Sequence, residues 1–176
     1  MLVTSLTFGQ MPGHPPWKVM CRQSALIVTG VAGRGVWVVH PDRMGTVTKP
    51  LSDGTAIVDL PNPADYVVGS TYTIQVEELI KKPQKIANSG NISVFVPGFM
   101  TTDMPVIVEG ERYILFLSPL RPEDERFEGT ITYKAGTTLD RNAKFDPKLN
   151  YAIVHDVVRI SAGNIDLIRE IKEAML

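Results

Sequence analysis

Cysteine is almost absent from this chain of 176 residues, which holds only Cys21. A single cysteine closes no internal disulfide, so a disulfide-framed secreted scaffold is excluded. A zinc site built from four cysteines is excluded on the same count. Charge of one sign is missing too, since 18 Lys and Arg stand against 19 Asp and Glu, for a net charge of −1. No global field therefore draws nucleic acid or an anionic membrane. The densest basic cluster, Lys81, Lys82 and Lys85, reads as a solvated turn. No apolar run reaches the ~18 residues of a membrane span. Residues 1–17 show neither a basic n-region nor a sustained apolar stretch, so no signal peptide is read there.

What is present is strand pattern. Hydrophobic residues make up 44% and charged residues 21%, ordinary for a globular chain. Residues 70–79, S-T-Y-T-I-Q-V-E-E-L, alternate: Tyr72, Ile74, Val76 and, at the end, Leu79 face one way, while Thr71, Thr73, Gln75 and Glu77 face the other. Residues 106–117, V-I-V-E-G-E-R-Y-I-L-F-L, read as a strand, a Glu-Gly-Glu turn and a strongly apolar second strand. Residues 24–30 form a β-branched run that continues to residue 40 past Gly33 and Gly35, and glycines inside such a run mark a bulge or a barrel corner. Further strands are expected at 55–60, 91–96, 129–134 and 151–160, with a loop over 137–149.

The period then changes. From residue 164, Ile165, Ile168, Ile171 and Met175 recur at helical spacing, with Asp166 at the positive end of the dipole and Arg169 and Glu173 at i,i+4. A helix over 164–175, laid across one end of a barrel, is the expectation. The prolines of residues 12–16 make residues 1–22 an irregular lead-in, with a short helical turn over 17–22. Residues 23–176 form a single domain.

The order of four segments carries a resemblance. S-A-L-I-V-T-G-V from Ser24, T-Y-T-I-Q-V-E-E-L-I-K-K from Thr71, N-I-S-V-F-V-P-G-F from Asn91 and V-E-G-E-R-Y-I-L-F-L from Val108 resemble a group of bacterial netrin-like proteins of uncharacterised function. These are similar in turn to tissue inhibitors of metalloproteinases. The resemblance covers about residues 24–119. It implies a mainly β fold, an OB-like barrel of five to six strands with a C-terminal α-helix, and an extracytoplasmic setting. Metalloproteinase inhibitors reach the protease zinc through a disulfide-held N-terminal cysteine. Cys21 is internal and alone, so that activity is not carried over.

Local chemistry is sparse. Gly30, Gly33 and Gly35 follow a strand, but the V-W-V-V run of residues 36–39 stands where a phosphate loop needs a helix, so a bulge is read instead. The three histidines, His14, His40 and His155, lie in no compact ligand spacing. His40-Pro41-Asp42 can bring an imidazole near a carboxylate, while His155 and Asp156 are neighbours that a strand turns to opposite faces. Cys21 reads as a buried small hydrophobe rather than a nucleophile. Tyr72, Phe95, Tyr113 and Phe116 read as core, and Trp37 as an exposed platform.

No catalytic residue, cofactor or metal is assigned. The expected function is a non-enzymatic protein-binding or assembly module, engaging another protein through an open strand edge or the loops at 41–54 and 97–105. The candidate contacts are Trp37, Phe99, Met100 and Met104. One alternative is a metal-binding protein or hydrolase using His40 and Asp42. The other is an OB domain binding single-stranded nucleic acid, which the lack of a basic stripe disfavours.

Overall fold

The computed structural model describes residues 17–45, 47–50, 56–59, 62–82, 90–98, 107–134, 136–161 and 166–176; at 47–50, 56–59 and 155–156 it describes backbone only. Among the described residues, eight strands and three helices run in the order α1 (Trp17–Gln23), β1 (Leu26–Val39), β2 (Val47–Pro50), β3 (Ala56–Asp59), α2 (Pro63–Tyr66), β4 (Val67–Lys81), β5 (Asn91–Pro97), β6 (Arg112–Pro119), β7 (Ile131–Tyr133), β8 (Asn150–Arg159) and α3 (Leu167–Ala174). Single 3-10 turns stand at Pro41–Arg43, Glu125–Phe127 and Pro147–Leu149. The chain is mainly β, and no described helix is long and apolar enough to cross a membrane.

Among the described residues, one sheet has the order β4-β5-β8-β6-β1-β7, and β4 also pairs with β1. The pairings therefore lead from β1 through β4, β5, β8 and β6 back to β1, and the sheet closes partly into a ring. All are antiparallel except β5 with β8. β2 and β3 form a separate antiparallel ribbon.

The length of β1 comes from its glycines. Its register against β4 slips between Thr29 and Gly30 and between Ala32 and Gly35, so the strand bends without ending. A Cβ on Gly30 would stand 2.5 Å from the Gln75 carbonyl oxygen, so only glycine fits that approach.

Side-chain alternation separates two cores. Leu26, Val28, Tyr113, Leu115 and Leu117 join Ile74, Ile92 and Val94 on one face. Ile27, Ile114 and Phe116 point to the other face, where Met20, Cys21, Leu167 and Ile171 cover them. The run Tyr113 to Leu117 is buried at every position, which is why it reads as unbroken apolar sequence. A half-buried polar link joins β4 to β8: the Thr71 hydroxyl donates to Asn150 Oδ1 at 2.7 Å, and Asn150 Nδ2 donates to the Asp146 carbonyl at 2.9 Å.

Three expectations change. The helix at 164–175 is described over Leu167–Ala174, and it packs on the outward side chains of β1 and β6 rather than across an end, because its Leu167 and Ile171 need the apolar face those strands expose. The helical turn expected over 17–22 is present as α1, but its Met20 and Cys21 are buried in the same core, so it is not part of an irregular lead-in. Residues 107 and 108 do not pair with β6 in a hairpin. The turn is instead held by β1: the Gly110 amide donates to the Ala32 carbonyl at 2.7 Å, and the Ala32 amide donates to the Glu111 carbonyl at 2.9 Å. Gly110 takes φ +83° to make that turn.

Candidate protein-contact face

Trp37 and Tyr133 are direct partners across β1 and β7, with ring centroids 6.3 Å apart and planes at 54°. Both are half-buried. Behind them lie buried Val39, Val67 and Ile131, so the rings rest on a firm apolar floor. Tyr66, Met44 and Leu139 pack around the same floor, also half-buried.

Local sequence explains how they arrive there. Pro41 opens a 3-10 turn that sets Met44 just past the end of β1. Asn62 caps α2 by accepting from the Ala64 amide at 3.1 Å, and Pro63 takes its first position. The Tyr66 carbonyl then accepts from the His40 amide at 2.8 Å, which ties the end of α2 to the end of β1. β7 is fixed on its outer side by the Thr132 amide donating to the Ala143 carbonyl at 2.8 Å.

His40 and Asp42 are near enough for the carboxylate charge to act on the imidazole. Asp42 accepts from Arg141 at 2.8 Å, with its side chain 83% exposed. Burial pushes the His40 imidazole below its ordinary pKa, the Arg43 charge pushes the same way, and the Asp42 charge opposes them without reversing the shift. Asp42, Arg141 and Lys144 line a cleft of about 320 Å³, but His40 is not among its described lining residues. Among the described residues no group of three His, Cys, Asp or Glu is placed to hold a metal ion.

Of the expected contacts, Trp37 is found on this face, packed at its edge by Tyr133 rather than standing free as a platform. Phe99, Met100 and Met104 lie outside the described residues, as do His14 and the side chain of His155. Tyr72, Phe95, Tyr113 and Phe116 all pack in core clusters, as expected. Sequence reasoning missed Tyr133, Tyr66 and Met44. The T-Y end of the short run at 131–133 signalled a strand, but nothing local signalled its pairing with Trp37. Compared with known proteins, the chain matches no family model, and no curated protein matches it significantly.

Proposed function

We propose that the ring is an OB-like, netrin-like barrel and that the protein is a non-enzymatic binding module whose contact face centres on Trp37. The barrel reading is supported by the circuit β1–β4–β5–β8–β6, with one long bent strand, β1, paired to β4 along its length and to β6 and β7 at its two ends, and one parallel pair, β5 with β8. The binding reading is carried by the Trp37–Tyr133 pair. Two half-buried aromatic rings on an apolar floor, edged by Tyr66 and Met44, combine rigidity with accessible area. Tryptophan, tyrosine and methionine are the side chains that protein interfaces favour, and aromatic anchors dominate their energetics. The partner is another protein.

The test is capture of partners from cytosolic and envelope fractions on immobilised wild-type chain and on Trp37→Ser, with circular dichroism confirming that both are folded. A protein retained by the wild type and released by the variant supports the reading and names the partner. Equal retention by both, or none by either, removes this face as the contact.

A further inference from the structure

We propose that the cleft beside Asp42 binds a small zwitterion with an apolar side chain, the chemical class of the free α-amino acids. The cleft holds about 320 Å³, at the small end of the range for small-molecule sites. Its charged lining, among the described residues, is Asp42, Arg141 and Lys144, so both signs stand in one small space. Phe127, Ile131 and Phe145 line it as well, and all three are buried. Trp37, Tyr133, Tyr66 and Met44 are not among its described lining, so this cleft and the Trp37 face can be tested separately.

Local structure fixes each part. Pro41 opens the 3-10 turn that carries Asp42. Arg141 sits in a turn where the Ala143 amide donates to the Asp140 carbonyl at 3.2 Å and the Asn142 amide donates to Asp140 Oδ1 at 2.9 Å. Lys144 is bridged to Ile131 of β7. Gly129 turns with φ +69°, and the next carbonyl, of Thr130, accepts from the Phe145 amide at 3.1 Å. The Phe127 and Phe145 ring centroids lie 5.3 Å apart, and both rings pack on Phe95, so this part of the lining is rigid.

The charged groups keep unused bonding capacity. Arg141 Nη1 donates to Asp42 Oδ1 at 2.8 Å, with side chains 66% and 83% exposed. A pair that open contributes little to stability, so the fold gains little from this meeting of residues 99 apart. A guanidinium has five N–H donors and a carboxylate two oxygens, so donors of Arg141 and Oδ2 of Asp42 remain for a ligand. The Asp42 charge also acts on His40, but the lowered pKa of that imidazole leaves it neutral near pH 7. Lys144 has no ion pair among the described residues and offers three donors. A ligand carboxylate fits between Arg141 and Lys144, its ammonium fits Asp42, and its side chain meets the apolar lining. A ligand of one sign meets a like charge in the same space: a bare carboxylate meets Asp42, and a bare amine meets Arg141 and Lys144.

The test is calorimetric titration of the full chain at pH 7 with L-phenylalanine, L-leucine, glycine, N-acetyl-L-phenylalanine and L-phenylalaninamide. Saturable binding of L-phenylalanine or L-leucine is expected. Glycine, the acetylated compound and the amide should each bind about tenfold more weakly, since each lacks the apolar group or one charge. Arg141→Gln and Lys144→Gln, both at exposed positions, should each weaken amino-acid binding about tenfold. Asp42→Asn should do the same, yet leave N-acetyl-L-phenylalanine bound no more weakly than by the wild type. Lys18→Gln, on α1, should change nothing. Circular dichroism checks that each variant is folded. No saturable binding of either amino acid overturns the site. Binding of the acetylated compound or the amide as tight as that of L-phenylalanine, or unchanged affinity in folded Asp42→Asn, overturns the zwitterion.

Discussion

Trp17 lies nearly flat on Phe116, the ring centroids 5.9 Å apart and the planes 14° from parallel. This contact joins α1 to the outward face of β6, and Met20, Leu167 and Ile171 complete the cover. The helices are therefore part of the core, not appendages to a self-sufficient sheet. Trp17→Ala should lower unfolding free energy by about 2–4 kcal/mol, through lost apolar burial and ring contact. Urea denaturation measures this, and a loss under ~0.5 kcal/mol, the level of a neutral surface change, would show that α1 lies outside the cooperative unit.

The Lys81 ammonium is the polar counterpart of that contact, since it satisfies two carbonyls at the end of α1. Lys81→Met keeps the apolar stem but orphans the Cys21 and Ser24 carbonyls, in residues that are both buried. An expected loss of about 1–3 kcal/mol follows from unmet buried acceptors, and amide hydrogen exchange should speed up within residues 20–24.

Glycine matters where backbone approaches backbone. Gly30→Ala would place a methyl 2.5 Å from the Gln75 carbonyl oxygen and 2.7 Å from Ile74 Cγ2. The bulge must shift, at a cost of about 1–3 kcal/mol typical of overpacking. Gly45→Ala meets nothing within 4 Å and should stay within about 0.5 kcal/mol of wild type. Comparing the two urea midpoints checks both outcomes.

Cys21 should behave as a neutral hydrophobe. Burial raises its thiol pKa above the ordinary 9.0, and the nearby Lys81 charge offsets this only in part. Because the folded value is the higher, the contribution to stability is complete below pH 9 and is lost as pH rises through the folded value. Stability should therefore fall more steeply above pH 9 in the wild type than in Cys21→Ala. A thiol reagent at pH 8 should label the folded chain far more slowly than the urea-unfolded one; equal rates would refute the burial.

His40 runs the other way. Burial and Arg43 hold its pKa below the ordinary 6.5. Its contribution is present above pH 6.5 and is lost as pH falls through the lower folded value. A proton NMR titration should give a His40 midpoint below 6.5, moving upward in Arg43→Ala.

The alternation of Tyr72, Ile74 and Val76 against Thr73, Gln75 and Glu77 placed β4 and its inward face correctly from local sequence. The isoleucine spacing of α3 and the glycines of β1 were equally legible, because period and backbone freedom are local properties. The 106–117 segment was misread for the same reason. Its Gly-containing turn fits a hairpin, and only the distant Ala32 backbone makes it a clasp on β1 instead.

What sequence determined by itself was most of the strands, the inward face of β4 and the terminal helix, since these rest on periods of two and 3.6 residues; β2, Val47–Pro50, lay inside the expected loop at 41–54. Tertiary structure alone decided the partial ring, the placement of α1 and α3 on its outer face, and the meetings of Trp37 with Tyr133 and of Cys21 with Lys81. These pairs lie 60 to 96 residues apart in the chain. No local pattern encodes such meetings, because they depend on which strand edges pair and with what register.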